Sequence, residues 1–284
     1  DDSGAEITGT LSGLAFGRII WVATAHACDT LMEETIITDQ ALGVMQVFRI
    51  SRALTALQPE PQPLRWDLVT LNSLQVTPGD EVKPTHAGLQ GLSGAMAEVY
   101  PQWTIRLLDL PEITTDVLAC LADVAPQSGC YALRNGEWFS QKLVRVKDIP
   151  EGTAAYRQQG VYVAIGGSGG LGEIWTRYLV EHYQANVIWI GRKPLNEDIQ
   201  RKLDSITPLG KTPEYLQADA SDRQALEAAY RQIRQKYPRI HGVVHTAVGD
   251  FDQSLKTVSE QDFRNILSVK LDISVRIAQV FENE

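Results

Sequence analysis

Short apolar runs alternate along this chain with longer stretches in which apolar residues return every three or four positions. Residues 18–23 read as a buried strand, and residues 40–57 as a helix with Val47, Ile50, Leu54 and Leu57 on one face. A proline-rich stretch at 59–63 ends that helix. Residues 66–71 are the next strand, 87–100 a helix, 104–108 a strand and 115–124 a short helix. This βαβαβα rhythm implies a parallel sheet covered by helices. Residues 131–146 then predict a hairpin turning at Asn135-Gly136, the dipeptide that type I′ geometry favours.

A polar stretch at 147–159, with Pro150 and Gly152, reads as a connection, after which the rhythm restarts. A strand follows from Gly160, then a helix with Leu171, Trp175, Leu179 and Tyr183 along one face, and a second buried strand at 186–190. Residues 214–217 form a strand ending at Asp219, and a helix at 222–236 opens on Ser221 and Gln224 as a capping box. A fourth strand at 240–246 precedes a long helix at 260–281. The pattern predicts an α/β protein of two Rossmann-like subdomains with parallel sheets, residues 1–150 and 151–284.

The two halves differ at their first strand-to-helix turn. In the first, Thr24-Ala-His-Ala-Cys28 has no glycine where a pyrophosphate needs close backbone approach, so this half is expected to be structural. His26 and His86 stand without an evident carboxylate partner and read as structural or surface residues. In the second half, Val161 to Gly172 runs from an apolar strand into a glycine loop that opens a helix. Glycines at 166, 170 and 172 would allow a sharp turn, close approach to a pyrophosphate and tight helix packing, while the helix N-terminus offers free N–H groups. The plain alternative is a tight βα turn with no ligand. Downstream, Gly191-Arg192-Lys193 ends the second strand with no acid, where an acid would hold a ribose 2′-hydroxyl and an arginine accommodates a 2′-phosphate. NADP(H) is therefore expected over NAD(H), against the alternative of a merely solvated basic strand end.

Composition narrows the class. The 284 residues are 44% hydrophobic, enough for real cores, and the net charge of −9 argues against nucleic acid or an anionic membrane as partner. Cys28, Cys120 and Cys130 lack metal-type spacing, so no zinc site or disulfide framework is expected and a reducing, cytoplasmic setting fits. No run of about 18 apolar residues occurs, and the N-terminus lacks the regions of a signal peptide.

In the last helix Phe263, Ile266, Leu267, Ile273, Ile277, Val280 and Phe281 form an apolar stripe, and Lys270 falls on or beside it. Lysine in that place either snorkels from the edge of the core or is held there for function.

With these motifs in place, the chain resembles the ketoreductase domains of modular polyketide synthases, two-part members of the short-chain dehydrogenase/reductase superfamily. The resemblance rests on Ile165-Gly-Gly-Ser-Gly-Gly-Leu-Gly172, Gly191-Arg192, Ala218-Asp-Ala220, Gly242-Val-Val-His-Thr-Ala247, and Asp262 through Lys270. Pro84 through Leu110 is similar to the family's structural subdomain, and the wording of the chain looks most like bacterial trans-acyltransferase assembly lines. The resemblance implies that Gly166, Ser168, Gly170, Leu171 and Gly172 hold the pyrophosphate and Arg192 the 2′-phosphate. It further implies that Asp219 and Ala220 meet the adenine, Ala247 the ribose region, and that Lys270 is the catalytic lysine. Asp252 falls where reductases forming the D-hydroxyl product tend to carry an aspartate, although Asp250 and Phe251 depart from the usual Leu-Asp-Asp pattern. Ile165 and Val248 also depart, standing where threonine and glycine are usual.

The implied activity is NADPH-dependent reduction of a β-ketoacyl thioester, carried on the phosphopantetheine arm of an acyl carrier protein, among neighbouring synthase domains and without metal. The family's serine, tyrosine and asparagine would lie beyond Glu284, so these 284 residues alone are expected not to turn over. Two other readings are a catalytically inactive reductase-like structural module and an extended-type nucleotide-sugar epimerase or dehydratase, which leaves the glycine-less first half unexplained.

Overall fold

The computed structural model describes residues 3–14, 17–23, 30–57, 62–147, 155–249 and 252–284. The 24–28 turn with His26 and Cys28, and also Asp250 and Phe251, lie outside the described residues. The chain divides into two compact units, Asp1–Arg145 with Asp252–Glu260, and Val146–Phe251 with Gln261–Glu284. Both are α/β.

The first unit runs α1 (Ser3–Leu11), β1 (Arg18–Val22), α2 (Thr35–Thr38), α3 (Val44–Leu57), β2 (Leu64–Leu71), α4 (Leu89–Val99), β3 (Trp103–Leu110), α5 (Thr115–Ala119), β4 (Gly129–Arg134) and β5 (Glu137–Ser140). Its sheet has the order β1-β2-β3-β4-β5, parallel except for β5. Asn135 and Gly136 turn the hairpin with φ of 51° and 80°, positive at both central positions as the sequence predicts. The hairpin is shorter than expected, ending at Ser140 where its ladder reaches Tyr131. The helix expected at 40–57 starts only at Val44. Gly43 breaks it, pressed so closely on the His86 ring that a Cβ would lie 2.8 Å from Nδ1.

The middle of this sheet holds charge. Asp67 on β2 and Arg106 on β3 are cross-strand partners, both fully buried, with Arg106 Nε 2.6 Å from Asp67 Oδ1. Arg18 Nη2 reaches the other carboxylate oxygen at 2.6 Å. Burial pushes the Asp67 carboxyl up, but hydrogen bonds and charge from Arg106 and Arg18 outweigh it and hold the group below its ordinary value. Toward the strand ends, Asp109 accepts from Thr70 Oγ1 at 2.7 Å, the Ser73 amide at 2.8 Å and Arg134 Nη2 at 2.6 Å.

The sequence places a boundary at 150/151, whereas the structure divides the chain at Arg145 and returns residues 252–260 to the first unit. Among the contacts of that segment, Arg49 Nη2 lies 2.5 Å from Glu260 Oε1, Arg52 donates to the Lys256 carbonyl, and the Lys256 ammonium sits 5.6 Å from the Tyr100 ring centroid. Val258 is buried.

The second unit runs β6 (Val161–Ile165), α6 (Gly170–Tyr183), β7 (Asn186–Gly191), α7 (Glu197–Ile206), β8 (Glu214–Gln217), α8 (Arg223–Lys236), β9 (Gly242–His245) and α9 (Glu260–Val280), whose first residue belongs to the first unit. Its four parallel strands have the order β8-β7-β6-β9. Alternation along the strands sorts the core into two faces. Val161, Val163, Ile165, Ile188 and Ile190 pack with Leu226, Ile233, Ile273 and Phe281. Tyr162, Ala164, Val187 and Trp189 pack with Leu179, Val180, Ile199 and Leu203.

Three details differ from the sequence reading. Helix α7 was not expected; Asn196 caps it, accepting from the Ile199 amide at 2.9 Å, and Ile199, Leu203 and Ile206 are buried. The cap of α8 is Asp222, which accepts from the Ala225 amide at 2.8 Å, because Ser221 is taken by the Asp219 carboxylate. On α6 the buried residues are Gly172, Thr176, Leu179 and Val180, while Leu171 is 68% exposed. A strict i+4 repeat drifts by about 40° per step around a helix, so its first member leaves the face held by its third. No helix among the described residues is long and apolar enough to cross a membrane.

Asp67→Ala is expected to destabilise the protein by about 3–5 kcal/mol, since it strands the Arg106 guanidinium inside the sheet. Replacing both, Asp67→Leu with Arg106→Met, is expected to cost less than the single change. Urea unfolding of the variants decides; a double variant worse than the single one would show that the buried pair is not the constraint.

A pH dependence follows from His86, which is buried, with its pKa lowered below 6.5 by burial and only opposed by the charge of Asp39. The unfolded chain binds this proton more readily, so stability is full above pH 6.5 and falls on acidification, by up to about 1.4 kcal/mol per pH unit. His86→Leu is expected to flatten the profile between pH 7 and 5 in chemical unfolding; an unchanged slope contradicts this account.

Candidate functional site

The order β8-β7-β6-β9 places consecutive connections on opposite sides of β6, so a topological switch point lies between β6 and β9. Ligands of open α/β sheets bind at the carboxyl ends of the strands beside such a point. There the second unit has a cleft of about 590 Å³, within the range of roughly 300–1,000 Å³ usual for small-molecule sites. Of the sequence-predicted residues, Gly166, Ser168, Gly170, Leu171, Arg192, Asp219, Ala220 and Ala247 line it.

The end of β6 is pinned from both sides. The Gly166 amide donates to the Ile190 carbonyl at 2.8 Å, and the Thr246 amide and hydroxyl donate to the Ile165 carbonyl at 2.8 and 3.0 Å. The loop that follows leaves no room for a side chain at Gly166, Gly167 or Gly172. Gly166 has φ of +83°, and a Cβ there would lie 2.6 Å from the Ala247 backbone. A Cβ on Gly167 would enter the Trp189 ring at 2.2 Å, and one on Gly172 would lie 2.6 Å from Gly167 Cα. Gly170 is different: a Cβ there meets nothing within 4 Å, so packing does not demand glycine and the open space belongs to the cleft.

Buried Trp189 donates from Nε1 to Thr176 Oγ1 at 2.8 Å, and Thr176 donates to the Gly172 carbonyl at 2.6 Å, which ties the first turn of α6 to β7. Gly169, the N-cap of α6, has no side chain to cap the helix, so among the described residues the first-turn amides at the edge of the cleft have no side-chain cap.

The polar residues of the wall have distinct states. Arg192 is exposed, and among the described residues its guanidinium has no partner, while its carbonyl accepts from Gln217 Nε2 at 3.2 Å. Asp219 Oδ1 accepts from the Ser221 amide at 2.9 Å and hydroxyl at 2.7 Å. Tyr215 lines the same wall, and its hydroxyl donates to the Lys193 carbonyl at 2.5 Å.

Three predicted residues stand off the lining. Gly172 lies behind it, in the contact with Gly167. Lys270 is exposed on α9 and its Nζ donates to the Ala247 carbonyl at 2.7 Å, so the ammonium grips a residue of the wall from outside. Asp252 is exposed in the segment that belongs to the first unit. On β9, His245 is held below its usual pKa by burial and then by the charge of Lys270, with Nε2 buried and unbonded.

Sequence reasoning missed Lys202. Its Nζ donates to the Ser168 carbonyl at 2.8 Å and lies 3.4 Å from Asp198 Oδ2, and the residue lines the cleft. The signal was present: an asparagine cap at 196 followed by Ile199, Leu203 and Ile206 at helical spacing sets Lys202 on α7. Among the described residues no group of three or more His, Cys, Asp or Glu is placed to hold a metal ion. The thiols of Cys120 and Cys130 are free, and burial, aided by Asp109, pushes that of Cys130 up to about 11.

Residues 160–284 match the family model described as the KR domain. The chain is 40% identical over 270 residues to the polyketide synthase PksM of Bacillus subtilis (strain 168), and 39% identical over 282 residues to PksN of the same strain. These matches cover 94% and 98% of the chain but only 6% and 5% of those proteins. The fold is that of an N-terminal ketoreductase from the macrolactin assembly line, with TM-score 0.83 at 19% identity over 99% of this chain and 58% of that one. A ketoreductase domain from the bacillaene assembly line superposes with TM-score 0.76 at 18% identity, over 96% of this chain and 68% of that one. With its two Rossmann-like units, its glycine loop at the switch point and these relatives, the chain belongs to the ketoreductase domains of bacterial polyketide synthases.

Proposed function

We propose that the cleft binds NADPH and serves reduction of a β-ketoacyl thioester, presented by an acyl carrier protein, to the β-hydroxyacyl thioester. The observation that carries the cofactor reading is Arg192, a guanidinium without a partner among the described residues, in the lining of a cleft whose glycine loop leaves Gly170 bare. The thioester, the carrier protein and the neighbouring domains are drawn from the family, since the chain spans no more than 6% of the length of these two relatives.

In this reading the first-turn amides at Gly170 and Leu171 hold the pyrophosphate, and Arg192 the 2′-phosphate, for which its planar fork of donors is suited. Asp219 and Ala220 take the adenine and Ala247 the ribose region. When bound, the cofactor supplies the hydride. Lys270, anchored on the Ala247 carbonyl, is the cation assigned to the nicotinamide ribose. A proton for the developing alkoxide is also needed. The cleft hydroxyls of Thr246 and Tyr215 are both donated to backbone carbonyls, so the acid is assigned to neither.

Arg192→Ala is expected to weaken NADPH by about tenfold or more, the value of one charge-assisted hydrogen bond, and NADH by less than about twofold. Fluorescence titration of the reduced cofactors measures both, and equal losses would remove the basis for NADP(H) preference.

The two central glycines are expected to separate. Gly170→Ala should fold within about 0.5 kcal/mol of wild type, as surface changes usually do, yet lose most cofactor affinity. Gly167→Ala, driven into the Trp189 ring, should lower stability by at least about 1–3 kcal/mol. Thermal melts beside the same titrations test this; a Gly170→Ala variant with unchanged affinity would mean the pyrophosphate does not lie there.

A further inference from the structure

We infer that Lys202 is a second specificity-determining residue for NADPH, a cation brought to the 2′-phosphate by α7 while Arg192 comes from the end of β7. The assignment rests on the cofactor reading above and deepens it.

Lys202 shares the cleft wall with Arg192 and Lys193, and its ammonium is bound to the Ser168 carbonyl, inside the glycine loop. That ammonium has three N–H donors, and the contacts to Ser168 and Asp198 use at most two. Its side chain is 31% exposed, so it is reachable but partly desolvated, the condition under which a charge acts strongly on an anion. Asp198 does not depend on it, because Arg201 Nη2 meets the same carboxylate at 3.0 Å. The other carboxylate of the lining, Asp219, accepts from the Ser221 hydroxyl and amide.

A chain of net charge −9 thus places Arg192, Lys193 and Lys202 in the lining of one cleft, beside two carboxylates, Asp198 and Asp219. The pyrophosphate has the backbone amides of α6 for its recognition and gives no reason for three cations. A terminal phosphate dianion does, and lysine serves it as a point charge. Fixing the ammonium to the loop carbonyl also limits its rotamer freedom before the ligand arrives, which lowers the entropy lost on binding.

The test uses the full 284-residue chain and four probes: NADPH, NADH, 2′,5′-ADP and 5′-ADP. Lys202→Met, which keeps the apolar stem, is expected to weaken NADPH and 2′,5′-ADP by about tenfold and NADH and 5′-ADP by less than about twofold. Lys202→Arg is expected to restore most of the loss. Lys211→Met removes the same charge beside Asn186, at the opposite end of β7, and is expected to change none of the four. Added salt is expected to narrow the NADPH preference more in wild type than in Lys202→Met. Should the Met variant melt early, Lys202→Gln carries the same comparison. Equal losses for phosphorylated and unphosphorylated probes would reduce Lys202 to a brace of the loop and overturn the inference, as would unchanged affinities. A wild-type chain that binds none of the probes would overturn the cofactor reading, and the inference with it.

Discussion

The second unit depends on one close contact, the glycine loop pressed between the Trp189 ring and the Ala247 backbone. Trp189 is fully buried on β7, and Gly167 lies where any side chain would enter its indole. Gly166 is held against Ala247 at the end of β9 in the same way, with a backbone angle that glycine tolerates and other residues resist. Because Trp189 also bonds Thr176, which bonds the Gly172 carbonyl, the loop and the first turn of α6 move only with β7 and β9. The cleft is therefore shaped by the interior of the sheet, and Gly170 is the loop glycine at which a Cβ would meet nothing within 4 Å.

The two units put their polar groups to opposite uses. In the first, Asp109 near the strand ends accepts from Thr70, Ser73 and Arg134, and Asp67 is enclosed by Arg18 and Arg106. Such buried ion-pair networks hold a particular strand register. In the second, strand ends terminate in uncapped amides, a guanidinium without a partner among the described residues and an ammonium tied only to carbonyl and carboxylate oxygens. The buried charge network thus lies in the first unit, and the glycine-loop cleft with its exposed cations in the second.

How much of this was legible in the sequence depended on the range of the interactions. The strands, the type I′ turn at Asn135-Gly136 and the loop at Gly166 are local, and each showed as composition or spacing. Leu171 misled because its i+4 repeat was taken as a straight face, whereas the helix rotates past it. Ser221 misled because its hydroxyl had a better acceptor in Asp219, leaving the cap to Asp222. Helix α7 was hidden by its polar majority, with only Ile199, Leu203 and Ile206 to mark its face. Missing α7 meant missing Lys202, since nothing local connects that lysine to a carbonyl 34 residues earlier. The buried Asp67–Arg106 pair was out of reach for the same reason: each residue alone reads as a surface charge, and only register makes them partners.

Electrostatics explains why the cations gather where they do. An exposed lysine on an acidic protein gains little from any one carboxylate, because solvent screens the pair. Lys202 instead lies against a carbonyl at the mouth of a partly enclosed cleft, where fewer waters compete and the field of each cation reaches further. Asp198, bonded by Arg201 on its other side, lies 3.4 Å from the ammonium and lines the cleft together with Asp219, so three cations share the lining with two carboxylates. The Ser168 carbonyl accepts from the ammonium and brings no net negative charge. On the proposed cofactor assignment, a 2′-phosphate dianion would meet Arg192 and Lys202 together, and attraction to each cation would favour the phosphorylated ligand over its unphosphorylated counterpart.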